Sequence, residues 1–243
     1  MKKLSLTLMA LLSAMPMFAQ SDDGEEIGNV VKAKNNAFFL GPKVGVTMST
    51  MTQPDEGKLF DKSDIGFSAG MAFKARFGKA TSNSEGGTGY VGLGLELMYT
   101  QNKAKTIATD EKGNENASLS MGYFEAPVSV QFYPLAKSNA MNNLYVEFGV
   151  AFVGTLSRSP KTLTVEEPSA DYSQVTYKLD ADGSKLKGLD VRPMAGLGYT
   201  IPGTGLDVNA RYYLGMSKMA ENFKSKMNTL EVSLSWMFNI AKF

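Results

Sequence analysis

Within the alternating stretches of this chain, charge falls only at every second position. Lys43, Lys74, Arg76, Arg192 and Arg211, and Glu96, Glu125, Glu147, Asp190, Asp207 and Glu231, all lie between apolar or aromatic neighbours. Such a set could do chemistry in two ways. Two carboxylates such as Glu125 and Glu147 could act as acid and base on a glycosidic bond. Charges of mixed sign in one enclosure could also relay a proton or an ion. Against both stands a static reading, in which opposite charges crowded into one narrow space pair with each other. Unpaired buried charge is too costly to persist there. The sequence favours the static reading, because a filled interior leaves no sugar cleft.

Histidine and cysteine are absent. That removes a Ser–His–Asp triad, a His general base, disulfides, and His or thiolate metal sites. No catalytic residue, metal ligand or cofactor is expected, and the chain reads as a non-enzyme. The eleven charged residues are then a lumen charge network with a structural role.

The elements that would position them follow from the spacing. From Ile65 to Phe77 the odd residues are apolar, and the residues between them are Gly, Ser, Ala, Lys and Arg. A period of two marks a strand with chemically different faces. The same alternation predicts strands over Phe38–Ser49, Ile65–Phe77, Tyr90–Gln101, Leu119–Tyr133, Leu144–Gly154, Leu189–Tyr199, Leu206–Met216 and Thr229–Ile240. Eight strands of this length suit an all-β fold, the eight-stranded antiparallel up-and-down transmembrane β-barrel, with apolar residues toward lipid and charged ones inside. Longer connections alternate with shorter ones, as extracellular loops alternate with periplasmic turns. Phe38, Phe77, Phe132, Tyr199 and Phe238 fall at the periplasmic strand ends, where a ring meets one wet and one apolar neighbour.

Residues 1–19 carry Lys2 and Lys3, an apolar run to about Met15, and Ala19. This is the pattern of a signal peptide, with cleavage expected after Ala19. Residues 20–37 read as a flexible periplasmic segment, and 38–243 as the outer-membrane barrel domain. The run at the N-terminus is too short to span a bilayer as a helix, and no other segment is apolar enough. The balance of 25 Lys+Arg against 24 Asp+Glu argues against nucleic acid as a partner.

Several segments together resemble a known family. They are Gly41-Pro42-Lys43-Val44-Gly45, Gly66-Phe67-Ser68-Ala69-Gly70, Leu95-Glu96-Leu97-Met98-Tyr99, Tyr123-Phe124-Glu125-Ala126-Pro127-Val128, Ala195-Gly196-Leu197-Gly198-Tyr199 and Arg211-Tyr212-Tyr213-Leu214-Gly215. From about Phe38 onward the chain resembles the PorT-like outer-membrane β-barrel family of Bacteroidota. The resemblance implies an eight-stranded barrel in the outer membrane and no single activity. One departure is Phe243, which is out of step with Phe238 and Ile240.

Further expectations follow. Pro127 should mark a bulge, because it removes a ladder N–H. Lys161–Val165 and Val175–Tyr177 could form a hairpin extending the barrel strands above the membrane. Asp180, Asp182 and Ser184 echo a calcium loop, but the glycine is misplaced and the closing Glu is missing, so ordinary turn chemistry is preferred. An inverted, soluble lipocalin-like barrel with its apolar face inward is the alternative architecture. The functional expectation is a structural or surface-interaction barrel, with a small porin or an accessory component of a secretion or transport assembly as the alternative. Its partners would be outer-membrane lipid, the barrel-assembly machinery during biogenesis, and an extracellular or envelope protein bound through the loops.

Overall fold

The computed structural model describes residues 36–52, 60–78, 89–106, 109–110, 118–138, 141–159, 162–166, 174–178, 190–216 and 226–242. The expected signal peptide, the calcium-like Asp180–Ser184 segment and Phe243 lie outside the described residues. Among the described residues the regular structure is all strand: β1 (Ala37–Met51), β2 (Phe60–Phe77), β3 (Val91–Thr106), β4 (Thr109–Asp110), β5 (Ser118–Phe132), β6 (Leu144–Ser159), β7 (Thr162–Glu166), β8 (Gln174–Lys178), β9 (Asp190–Thr200), β10 (Leu206–Tyr213), β11 (Met227–Trp236) and β12 (Phe238–Lys242).

The long strands pair antiparallel in the order β11-β10-β9-β6-β5-β3-β2-β1, and β1 pairs back onto β11 and β12. β11 and β12 are one strand interrupted at Met237, so the barrel is closed and has eight strands. Closure fixes a stagger. From Lys43 the ladder runs through Gly70, Met98, Glu125 and Val153 to Asp190 on β9. In the other direction it runs through Ser235 and Asp207 to Thr200 on the same strand. The two arrivals differ by ten residues, and such a stagger requires strands tilted by roughly 35–45°. Tilt is what lets side chains from non-neighbouring strands meet at one height in the lumen.

The faces are those of a membrane barrel. Outward residues such as Val44, Phe67, Phe148, Leu197, Val232 and Leu234 are exposed, whereas Lys43, Glu96, Glu147, Arg211 and Glu231 are buried inside. The inverted alternative, with an apolar interior, is therefore excluded. Phe38 and Phe77, and Trp236 and Phe238, pack in pairs with ring centres 6.5 and 5.3 Å apart at the end where β1 begins and β12 ends, the end of the barrel's own termini.

Glycine makes the lumen possible. Large inward side chains face glycine across the ladder: Tyr145 opposes Gly198, Glu147 opposes Gly196, Lys74 opposes Gly94 and Arg76 opposes Gly92. A Cβ on Gly198 would sit 2.3 Å from the Tyr145 ring. An eight-stranded interior is just wide enough for side chains to fill, so each large residue needs a neighbour that has none.

Three expectations are corrected. No bulge occurs at Pro127. The β3–β5 ladder is interrupted at Glu96 and Leu97 but resumes in the same register, and the bulge between β5 and β6 lies in β6, where Leu156 is left unpaired opposite Gly122 and Tyr123. A missing N–H deletes one bond, and the flanking pairs hold the register. The seventh barrel strand ends at Tyr213 rather than Met216. The next partner on β9 is Pro193, which has no N–H to return, and Gly215 N–H turns to the Asn228 side chain instead. The hairpin of β7 and β8 exists, but it pairs with β4 in a separate three-stranded sheet and does not prolong the barrel ladder.

Candidate functional site: the charged lumen

All eleven charges named from the sequence lie on strands with inward parity; ten of them fall into three groups, and Arg76 stands apart. The central group is built on Arg211 of β10. Its guanidinium places Nη1 and Nη2 each 2.7 Å from the two Glu96 carboxylate oxygens. The same side chain donates from Nε and Nη2 to Glu147. Lys43 Nζ donates to Glu96 at 2.8 Å and lies 3.6 Å from Glu231. Neutral donors fill the remaining lone pairs. Asn209, Ser129 and Gln131 donate to Glu147. Ser68 and Tyr213 donate to Glu231.

The second group lies toward the end with the termini. Lys74 Nζ donates to Asp207 at 2.6 Å and lies 4.1 Å above the Tyr145 ring, whose hydroxyl also donates to Asp207. The third group lies toward the opposite end. Arg192 donates from Nε to Asp190 at 3.1 Å and from Nη1 to Glu125 at 3.5 Å, with Thr100 also donating to Glu125.

Arg76 does not pair with Glu96, the partner that its inward parity on the adjacent strand leads one to expect for it. Register alone predicts this, because Arg76 faces Gly92 and Ala72 faces Glu96, four residues along the strand. At a rise of about 3.3 Å per residue that offset is too far for direct contact. Arg76 stacks 3.7 Å over the Tyr133 ring and donates to the Gly89 and Asn142 carbonyls and the Asn143 side chain. It thus holds two turns together at the lumen's end. A double-mutant cycle of Arg76→Met with Glu96→Gln should be additive within about 0.5 kcal/mol. Urea unfolding in detergent checks this, and a larger coupling would mean the two side chains share a partner.

The lumen network expected from the sequence left out the tyrosines. Tyr123, Tyr133, Tyr145 and Tyr213 are buried in the lumen and bring a hydroxyl or a ring face to a charge. The signal was available: each shares the parity of its charged neighbours. Chemically, the arrangement fixes its carboxylates against facing cations. Glu125 and Glu147, the pair considered for acid–base work, belong to different groups, each engaged by a different arginine.

Residues 18–221 match the family described as outer membrane protein beta-barrel domain. The match ends before β11, the strand that closes the barrel. No curated protein matches the sequence. Solved structures with some similarity include Neisserial surface protein A, at 12% identity over 84% of this chain and 99% of that one, with a TM-score of 0.42. The attachment invasion locus protein Ail of Yersinia pestis gives 13% identity, 83% and 99% coverage and a TM-score of 0.39. The outer membrane protein OprG of Pseudomonas aeruginosa gives 10%, 85% and 97%, and 0.40.

Proposed function

The chain belongs to the outer membrane protein beta-barrel domain family, and on that premise we propose a non-enzymatic barrel of the outer membrane, closed by its own ion pairs, that acts as a structural or surface-interaction protein. The observation that carries this reading is Arg211, which bridges Glu96 and Glu147 inside a lumen already narrow enough to be filled by side chains. A fixed, paired interior leaves the loops as the variable surface, and a protein partner would be met there. Within the family we place the chain among the PorT-like barrels of Bacteroidota, on the strength of the Tyr123–Val128 segment. Residues 1–19 are proposed as a cleaved signal peptide and 20–37 as a periplasmic segment. That puts both termini, and the Arg76 end of the lumen, in the periplasm.

Planar-bilayer recording from the purified, folded protein tests the closed lumen. No stable unitary steps are expected. Large, stable single-channel steps would overturn the reading and favour a small porin. Crosslinked pull-down from intact cells would then address a secretion or transport assembly.

A further inference from the structure

The outer wall changes character at the end away from the barrel's own termini. On β3, β5 and β6 the outward positions from Val91 to Gln101, from Gly122 to Phe132 and from Val146 to Gly154 carry no charge. The first outward charge beyond them on β3 is Lys103, half-buried between the inward-facing Asn102 and Ala104. Asp64 faces it from β2, but that carboxylate is held by the Ser118 hydroxyl at 2.7 Å and the Ile65 N–H at 2.8 Å. Among the described residues Lys103 enters no ion pair.

Next to Lys103 the wall has a recess at Gly122. This glycine pairs with Gln101 on β3 and Ser157 on β6, and Lys103 pairs with Ser120, one outward step further along. At a rise of about 3.3 Å per residue that step is about 7 Å, within reach of a lysine stem. A Cβ on Gly122 would sit 2.5 Å from Ser157 Oγ and 2.9 Å from Tyr99 Oη, so two hydroxyls converge over bare backbone. Neither hydroxyl enters a hydrogen bond among the described residues. The β6 bulge helps to build this point, because it leaves the consecutive residues Leu156 and Ser157 both exposed. Bulges re-aim side chains in this way. Toward the bilayer centre the wall is apolar again. Phe124 is exposed, and it pairs with Tyr99 on one side and with Gly154 on the other, where a Cβ would meet nothing nearer than 3.9 Å.

We propose that Tyr99, Ser157 and Lys103 hold the phosphate of an anionic phospholipid from the leaflet at that end. The two hydroxyls donate to phosphate oxygens, and the ammonium supplies a charge-assisted bond. The acyl chains then lie along Phe124 and the open wall at Gly154. An apolar wall that ends on two converging hydroxyls and a cation has the polarity profile of a lipid with an anionic head. The proposal rests on the outer-membrane reading and adds a ligand to it. Recovery of the wild type in the outer-membrane fraction checks that reading separately.

The test is native mass spectrometry of the full barrel in detergent, offered phosphatidylglycerol and phosphatidylcholine of the same chain length. One phosphatidylglycerol should be retained per barrel, with a preference of roughly tenfold, about the worth of one hydrogen bond to a charged group. The triple substitution Tyr99→Phe, Ser157→Ala and Lys103→Gln keeps the shape of the wall and should abolish the preference, with circular dichroism verifying the fold. Lys137→Gln, which removes an exposed lysine from a turn at the other end, should leave it intact. Equal retention of the two lipids, or a preference that survives the triple substitution, overturns the proposal. So does glycerol phosphate competing as well as the lipid, which would mean a site for free anions. Should the triple variant fail to fold, amide NMR of the wild type decides the matter. Phosphatidylglycerol must then shift signals centred on Gly122 and Ser157, and shifts spread evenly round the outer face overturn the proposal.

Discussion

Arg211→Met should cost the barrel about 3–5 kcal/mol of unfolding free energy, the range for stranding a buried charge. Two carboxylates depend on this one guanidinium. Glu96 would keep Lys43 at 2.8 Å, but Glu147 has Arg211 as its only ion-pair partner among the described residues. Its remaining donors, Asn209, Ser129 and Gln131, are neutral. Methionine fills the volume but returns nothing to the four oxygens. Arg211→Lys should also be destabilising, because one ammonium cannot reproduce the planar fork onto two carboxylates.

The cycle partner is Glu147→Gln. If both side chains belong to one fixed network, the double variant should lose less than the sum of the single variants. Urea unfolding of the purified barrel in detergent or lipid reads all four corners. A cost below about 0.5 kcal/mol for Arg211→Met would be that of a water-exposed pair. It would mean that the lumen is wet and screened, and the closed-barrel proposal would fall with it.

The fold was legible because a lipid-spanning strand obeys one rule over its whole length. Phe67, Ala69, Met71 and Phe73 on one side, and Ser68, Gly70 and Lys74 on the other, give the face of every residue by parity alone. The inward position of all eleven charges follows from the same rule. Partner identity does not. Arg76 and Glu96 lie on adjacent strands and both point inward, but which residues oppose each other depends on register. Register is set by the closed circuit of eight strands rather than by any pair of them. The stagger brings Glu96 on β3 to Arg211 on β10 and to Lys43 on β1, none of which are neighbours in the sheet. Nor is the end of the seventh strand written in its own residues, since Tyr213–Met216 continues the alternation. The limit lies in Pro193 on the facing strand.

Parity also makes the largest prediction on the outer face. Leu234 is 43% exposed and stands opposite Val44 on one side and Val208 on the other. Apolar residues surround it along and across the strands, which puts it near the bilayer midplane. Leu234→Arg should cost roughly 2–4 kcal/mol, as a guanidinium at that depth must drag water or headgroups inward. Trp236 lies two residues nearer the end with the termini and pairs with Leu206, the first residue of β10. Trp236→Arg adds the same charge, but there the stem can snorkel to the interface, and its charge penalty should be only about 0–1 kcal/mol. The contrast between the two sites is the measurement, because losing the Trp ring and losing the Leu side chain are both controlled by the corresponding alanine variants. Unfolding in vesicles should show a charge penalty that falls with distance from Leu234. Equal penalties at the two positions would mean that the strand is not crossing a hydrocarbon layer at this depth. A negligible penalty at Leu234 would place that face in water and overturn the assigned orientation of the barrel.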